Sequence, residues 1–336
     1  MELTEMRKAV GGFEMYKKVL ILVVIIVMVF SGCSNSAKTS GDASNQQSEV
    51  KTIKIAYLPI THALPLYIEN ELANIDSKNF KLELVKFGSW PELAEALNAG
   101  KVDGASMLIE LAVKAKEKGI DLKAVALGHR DGNVVVVSED INSAADLKGK
   151  SFAIPSKLST HNLLLHIMLK NSGLSYSDVN IVELPPPEMP AALSEGRISG
   201  YCVAEPFGAQ SVAAGKGKTL FESHELWEGS LCCGLVLRND FIQNNQAVAE
   251  AFIKEYVNAG LKAEQKDEEV KSITSKYLKA ESKVLDLSLQ WISYENLRLE
   301  EEEYNALAKY MVEAELSENP PKYSDFVDNS LIDRVK

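Results

Sequence analysis

Short apolar runs alternate with segments of helical period over most of this 336-residue chain. Runs such as 53–58 and 82–87 have the length of buried strands, and segments such as 92–98 and 108–118 separate them with a helical repeat. This alternation is typical of βαβ units with mainly parallel sheets. After Asn239 the strand pattern stops and consecutive helical segments follow. The sequence therefore predicts an α/β fold with a helical C-terminal part.

A short internal repeat indicates two similar halves. Residues 96–104 (ALNAGKVDG) are repeated in character at 192–200 (ALSEGRISG), 96 positions later. In both copies a helix is predicted to end at a glycine that can adopt positive φ, namely Gly100 and Gly196. A basic residue follows near the negative helix end, and a strand begins at once. The recurrence favours two α/β lobes around a central cleft.

The N-terminus resembles the signal segment of bacterial lipoproteins. Residues 19–30 form an unbroken run of 12 apolar side chains, preceded by two lysines. A membrane span needs about 20 such residues, whereas a secretory signal needs roughly 7–15. The run ends in Ser31, Gly32 and Cys33, an arrangement in which the signal is cut before the cysteine and the thiol is acylated. Phe30 departs from the usual aliphatic residue. We therefore predict a signal peptide at 1–32, with Met15 as the start of translation; the alternative is an uncleaved anchor.

The segment from the lipidated Cys33 to residue 50 is rich in Ser, Asn, Gln and Gly, and it is predicted to be a flexible tether. The chain carries a formal charge of −11. Nucleic-acid binding needs clustered Lys and Arg, so this charge argues against nucleic acid as a partner. A binding cleft can still be locally basic on an acidic protein.

Three cysteines remain after Cys33. Cys202, Cys232 and Cys233 show no C-x-x-C spacing, and their apolar neighbours indicate small buried side chains. A disulfide from Cys202 stays open as an alternative. The histidines His161, His166 and His224 form no recognisable metal motif with acids or cysteines. We therefore expect no metal and no cofactor.

Candidate ligand-binding residues come from the ends of the predicted strands. In open parallel sheets, ligands sit at the carboxyl ends of strands, and helix N-termini there favour anions. Applied to this chain, the rule selects polar and aromatic side chains in the loops after five strands, and at one helix start. These are Thr61, His62, Ser89, Trp90, Ser106, Ser156, Lys157, Ser159, Thr160 and Glu205.

Each candidate has a structural alternative. The Ser and Thr residues could simply cap helices without contacting a ligand. Trp90 could belong to the core or to the rim of a cleft. Glu205 can accept a hydrogen bond from a ligand amine or lock a hinge. His129, Arg130 and Asp131 fall where the chain would leave the first lobe, and a hinge salt bridge is the simplest role for them. Enzyme signatures such as G-x-S-x-G, a Walker loop or H-E-x-x-H are absent from the sequence.

Four segments carry a family resemblance. Residues 55–59 (IAYLP), 96–104, 146–150 (DLKGK) and above all 200–206 (GYCVAEP) resemble the nitrate/sulfonate/taurine/bicarbonate class of ABC-transporter substrate-binding proteins. The resemblance implies a type II periplasmic-binding fold. It also implies a first lobe made of residues 51–131 plus 235–336, and a second lobe of 132–234.

We further expect a monomer without enzymatic activity, and the predicted lipid anchor would hold it outside the cytoplasm on the cell membrane. Such a protein would deliver a small anion to an ABC permease that is driven by an ATPase across the membrane. Lys157 and Arg130 are the candidates for a basic residue that contacts the anion.

Two alternatives stay open. Residues 231–234 (LCCG) partly resemble the cysteine-rich strand of proteins for the thiamine-pyrimidine precursor, so an enzyme or binder of that compound is one alternative. A surface sensor or adhesin that uses the same cleft is the other.

Overall fold

The computed structural model describes residues 50–76 and 80–335. The predicted signal peptide, the predicted lipidation site Cys33 and nearly all of the predicted tether lie outside the described residues. Within the described ranges, no helix combines the length and the apolar character that a membrane span requires.

A first five-stranded sheet combines four strands from the N-terminal part of the described chain with one later strand. Its strands are β1 (Lys51–Tyr57), β2 (Phe80–Lys86), β3 (Gly104–Leu108), β4 (Leu122–Leu127) and β11 (Cys233–Arg238). Their spatial order is β2-β1-β3-β11-β4. β1 pairs parallel with β2 and β3, whereas β11 pairs antiparallel with β3 and β4.

A second five-stranded sheet comes from the middle of the chain. Its strands are β6 (Asn133–Val137), β7 (Ser151–Ile154), β8 (Asn180–Glu183), β9 (Gly200–Ala204) and β10 (Lys218–Glu222). Their spatial order is β10-β6-β9-β7-β8. β7 pairs parallel with β8 and β9, and β6 pairs antiparallel with β9 and β10. The predicted α/β architecture is confirmed. In each sheet one strand runs opposite to the other four, so two of the four strand pairings are parallel and two are antiparallel.

Helices cover the sheets. They are α1 (Leu64–Asp76), α2 (Trp90–Asn98), α3 (Ile109–Glu117), α4 (Thr160–Asn171), α5 (Met189–Ser194), α6 (Phe207–Ala213), α7 (Ser223–Leu226), α8 (Asn239–Asn244), α9 (Gln246–Glu264), α10 (Glu268–Leu278), α11 (Ser282–Gln290), α12 (Glu301–Glu313) and α13 (Tyr323–Phe326). α9 to α12 correspond to the consecutive helical segments that the sequence predicts after Asn239.

The C-terminal helices return to the first sheet. α9 and α10 pack against α1. The Tyr67 and Tyr277 rings stack at 4.3 Å, and Phe80 meets Phe252 edge-on at 5.9 Å. Burial of such aromatic side chains is the main stabilising term of these contacts.

One expectation about the C-terminal part is wrong in detail. Residues Ile292–Ser293 form a short strand, β12, which pairs antiparallel with β5 (Arg130–Asp131). A two-residue strand has no period that a sequence pattern can display. β11 also begins two residues before the predicted return to the first lobe at residue 235, and the lobe boundaries themselves stay predictions.

The internal repeat of residues 96–104 and 192–200 has a structural counterpart. Gly100 and Gly196 follow α2 and α5 with φ of 67° and 69°, the left-handed conformation expected at a helix end. Gly104 and Gly200 then open β3 and β9, and each pairs with the strand that enters from the other direction. A Cβ on Gly104 would lie 2.5 Å from both the Leu237 side chain and the Val236 carbonyl oxygen.

We therefore expect Gly104→Ala to lower the free energy of unfolding by about 1–3 kcal/mol, the usual range for overpacking. The backbone of β11 must move to admit the methyl group. The matched control is Gly88→Ala, because a Cβ there meets nothing within 4 Å. Urea denaturation of both variants tests this. Equal stability of the two would mean that the strand contact is not tight.

Candidate ligand-binding site

The antiparallel strands place their first residues at one edge with the last residues of the parallel strands. Cys233, at the start of β11, pairs with Leu108 at the end of β3. Asn133, at the start of β6, pairs with Ala204 at the end of β9. The candidate site is therefore formed by strand beginnings as well as strand ends.

The loop after β1 contacts residues of the second sheet. The backbone N–H of Thr61 and its hydroxyl both donate to the carbonyl oxygen of Glu205, at 2.9 and 3.2 Å. His62 Nε2 lies 3.0 Å from the carbonyl oxygen of Gly132. Thr61 and His62 are completely buried. These contacts fix the loop against the point where β6 begins and β9 ends.

The Glu205 carboxyl is used inside the protein. Its two oxygens lie 3.0 and 3.2 Å from the backbone N–H of Ala209, which donates to them, and Oε2 lies 2.9 Å from Ser288 Oγ. Ser288 Oγ also lies 2.7 Å from the Val284 carbonyl oxygen, which can only accept. Because a hydroxyl has one proton, a protonated Glu205 satisfies both contacts. Burial raises the pKa of Glu205 to about 8, in agreement with this network. The geometry suits the hinge-locking alternative.

The start of α4 contacts the first sheet. Ser159 is the N-cap, and its Oγ accepts from the Asn162 N–H at 3.2 Å, as its sequence position predicts. Thr160 Oγ1 lies 2.6 Å from Glu110 Oε1 and 2.6 Å from the Leu231 carbonyl oxygen. As at Ser288, one hydroxyl proton serves both contacts only if the carboxyl is protonated. Burial raises the pKa of Glu110 well above its usual range.

Other predicted residues lie apart from these contacts. Trp90 is buried in the apolar core of the first sheet, beside the half-buried N-cap Ser89. Ser106 is buried within β3. Ser156 Oγ accepts from the Leu158 N–H, and Lys157 is exposed. A role for these residues in ligand binding stays a prediction.

The second basic candidate, Arg130, is engaged elsewhere. Its guanidinium forms an ion pair with Glu303 at 2.6 Å and donates to the carbonyl oxygens of Asn296 and Arg298. This ion pair links β5 to α12. Whether it acts as the hinge salt bridge expected at residues 129–131 stays a prediction.

The fold assembles a polar cluster that the sequence analysis missed. Its members are buried side chains from α3, the loop after β4, β6, α4 and the start of β11, namely Glu110, His129, Asn133, His161, Cys232 and Cys233. Burial lowers the pKa of His129 and of His161 to about 4, so both imidazoles are neutral at pH 7. Burial raises the pKa of the Cys233 thiol.

The two cysteines are therefore more than small buried hydrophobic side chains. One ligand atom from each of His62, His129, Cys232 and Cys233 lies within 4.8 Å of the others. The sequence pattern predicts no metal-ligand cluster, because these residues are distant along the chain. The missed signal is the start of β11, since the strand-end rule considers only parallel strands.

Close backbone approach makes this cluster possible. Gly128 donates its N–H to the carbonyl oxygen of Cys233 at 2.8 Å. A Cβ on Gly128 would lie 2.7 Å from the His62 carbonyl oxygen. Glycine at this position therefore lets the end of β4 contact both His62 and β11.

We expect Glu205→Gln to stabilise the protein increasingly as pH rises. The folded-state pKa of about 8 exceeds the ordinary 4.5, so wild-type stability is full below pH 4.5 and falls as pH rises toward 8. Gln cannot ionise, and its amide can donate to Ser288 Oγ as the protonated acid does. The advantage of the variant at pH 8 should be on the order of a few kcal/mol, measured by urea denaturation from pH 4.5 to 8.5. Exposed Glu302→Gln is the control. A pH-independent difference would show that Glu205 is ionised in the folded state.

Known proteins resemble this chain in sequence and in fold. The NMT1-like family model matches residues 46–278. A Staphylococcus aureus ligand-binding component of an ABC-type import system, solved with zinc bound, is 40% identical with a TM-score of 0.81; the match covers 85% of this chain and 99% of that one. The nitrate/nitrite binding protein NrtA of Nostoc sp. is 26% identical over 67% of this chain and 58% of its own. The taurine-binding periplasmic protein of Escherichia coli is 31% identical over 52% of this chain and 55% of its own.

The chain spans less than two thirds of the length of these curated relatives, 58% and 55%. The predicted resemblance to binding proteins of ABC importers is confirmed, and so is the periplasmic-binding fold. The family match covers well over half of the chain, which therefore belongs to the NMT1-like family.

Proposed function

We propose that this protein is the extracytoplasmic solute-binding component of an ABC importer, and that it holds a small solute between its two sheets. The observation that carries the proposal is a set of buried polar atoms without hydrogen-bond partners in the part of the chain described. Five such atoms belong to the polar cluster, namely Glu110 Oε2, His129 Nδ1, Asn133 Nδ2 and both ring nitrogens of His161, and others such as Glu69 Oε1 and Trp90 Nε1 lie outside it. Each such atom costs about 1–3 kcal/mol when it is left unpaired. A bound solute with donors and acceptors would remove this cost.

Contacts between the two sheets support a closed binding state. Thr61 bonds to Glu205, His62 to Gly132, and Thr160 to Glu110. Each pair joins an element of the first sheet to one of the second. Opening the cleft would break all three and expose the polar cluster to solvent, which is the motion that a capture protein needs.

A small anion is the first candidate solute, because relatives are named for nitrate and taurine. No Lys or Arg is among the buried residues described. The negative charge would therefore be met by the Asn133 amide, the N-terminus of α4 and an imidazole that takes up a proton on binding. The chemistry of this site thus makes anion binding proton-coupled.

A neutral nitrogen heterocycle, such as the thiamine-pyrimidine precursor, is the second candidate. The observation in its favour is the same lack of a buried cation, together with neutral imidazoles and a protonated Glu110. These groups offer both donors and acceptors, which suit a heterocycle with ring nitrogens and an amino group. Binding of this kind would involve no proton uptake.

Calorimetry on the full-length chain in detergent separates the two candidates. Nitrate, bicarbonate, taurine, an alkanesulfonate and an aminopyrimidine are titrated in buffers of different ionisation enthalpy. An anion should bind with proton uptake and more tightly as pH falls, whereas the heterocycle should show neither. At 100 times its dissociation constant, the true solute should stabilise the fold by about 2.7 kcal/mol. Binding of none of the five would contradict both candidates, and turnover of one would favour an enzyme.

Two histidines of α4 give a matched pair of variants. His161→Ala removes a buried ring whose nitrogens have no partner, and it should weaken solute binding at least tenfold, or about 1.4 kcal/mol. His166→Ala removes a half-buried ring stacked on Tyr176, and it should leave affinity unchanged. Equal effects of the two changes would place the solute elsewhere.

In this proposal the protein acts as a monomer that is anchored to the membrane by a lipid on Cys33. It delivers the solute to a permease that is driven by an ATPase. The basis for the anchor is the sequence of residues 19–33. Cys33→Ser should abolish incorporation of labelled palmitate into the expressed protein, and Ser34→Ala should not. Absence of label from the wild-type protein would instead support an uncleaved anchor.

A further inference from the structure

We infer that His62, His129, Cys232 and Cys233 form a tetrahedral site for a thiophilic divalent cation of the zinc class. All four side chains are buried, and their ligand atoms lie within 4.8 Å of one another. Two sulfur and two nitrogen ligands are a common donor set of closed zinc sites.

The separations match tetrahedral coordination. Zinc–sulfur bonds of about 2.3 Å and zinc–nitrogen bonds of about 2.0–2.1 Å place two sulfurs about 3.8 Å apart, and a sulfur and a nitrogen about 3.6 Å apart. In the structure the two Sγ atoms are 3.8 Å apart. His62 Nδ1 lies 3.7 Å from Cys232 Sγ and 3.5 Å from Cys233 Sγ. Three of the four donors thus stand at the spacing that a shared ion would require.

The free nitrogen of His62 faces the sulfurs. Its Nε2 lies 3.0 Å from the Gly132 carbonyl oxygen, which can only accept, so Nε2 carries the proton. Nδ1 therefore presents its lone pair to Cys232 and Cys233. A metal-bound histidine usually donates its other N–H to a carbonyl or carboxylate in this way.

Two consecutive cysteines can face one point because only the second belongs to a strand. β11 begins at Cys233, so Cys232 is outside the alternation that sends neighbouring strand side chains to opposite faces. The backbone is held on both sides. The Cys232 carbonyl oxygen accepts from the Ile109 N–H at 2.8 Å, and the Cys233 carbonyl oxygen accepts from the Gly128 N–H at 2.8 Å. The sulfurs are thus fixed on rigid elements.

The donor set selects the class of ion. Sulfur and imidazole ligands suit zinc and related soft or borderline ions, whereas magnesium and calcium need oxygen ligands. Two thiolates would balance the charge of a divalent cation, so no net charge would be buried. Their protons would leave to solvent as the ion enters.

Cobalt(II) provides the test, because thiolate coordination gives near-ultraviolet charge-transfer absorption and tetrahedral geometry gives intense visible bands. The full-length chain in detergent is kept reduced, stripped of metal and titrated with Co²⁺ in the absence of any solute. We expect one Co²⁺ per chain with both absorptions, and loss of both when Zn²⁺ is added. Cys232→Ala and Cys233→Ala should abolish the charge-transfer band or weaken binding at least tenfold. Cys202→Ala, which removes a buried cysteine outside the cluster, should bind as the wild type does.

The site would be refuted if reduced wild-type protein gave no thiolate band, or if all three variants bound Co²⁺ alike. Circular dichroism of the metal-free variants verifies folding, and Cys233→Ser provides a variant of nearly the same size. Because no solute is present in the titration, its outcome is independent of the calorimetric test of solute binding.

Discussion

The direction of two strands determines what lies at the candidate site. β11 runs antiparallel to β3 in the first sheet, and β6 runs antiparallel to β9 in the second. Their first residues, Asn133 and Cys233, therefore lie at the edge where β9 and β3 end. Had these strands run parallel, the same residues would lie about a strand length away, at the opposite edge. The polar cluster, its contacts with α4 and the close approach of Gly128 all depend on this reversal.

Proton sharing keeps the closed state free of isolated buried charge. Thr160 lies between the Glu110 carboxyl and a carbonyl oxygen, and Ser288 lies in the same way between Glu205 and another carbonyl oxygen. In both cases the hydroxyl donates its single proton to the carbonyl oxygen, so the carboxyl must carry a proton to donate to the hydroxyl. An ionised, unpaired carboxylate at these depths would be much more costly than a neutral acid. In the proposed closed state, the cleft would therefore enclose polar groups without a compensating cation, and this would constrain which solutes it can accept.

The predictable part of the fold is the part with local causes. Apolar runs predict most of the strands, though not β10, helical periods predict most helices, and the internal repeat indicates how α2 and α5 end. Ser159 as an N-cap is also a local effect, since its partner is three residues away. The five-strand order and the pairing of β12 with β5 depend on distant segments, so no short pattern reveals them.

The candidate site was harder to predict for the same reason. His62 and Thr160 are candidates from the sequence because they follow a parallel strand or start a helix. Cys232 looked like a small apolar residue, because its partners His62 and Asn133 are far away in sequence. Lys157 is a candidate because of its charge, and its side chain is exposed. Residue type and position along a strand identify candidates, but the packing of both sheets decides which of them meet.

The metal cluster and the solute groups lie at the same edge of the sheets, and His129 is the one residue that belongs to both sets. Four ligands complete a tetrahedral shell and leave no open position for a solute. An ion held by His62, His129 and the two cysteines would act through structure, since His62 contacts the backbone at Gly132, where the chain enters β6. The unpaired atoms of Glu110, Asn133 and His161 would remain available to the solute. An ion at this point would thus stiffen one wall of the cleft while the opposite wall, carried by α4, stays free to open.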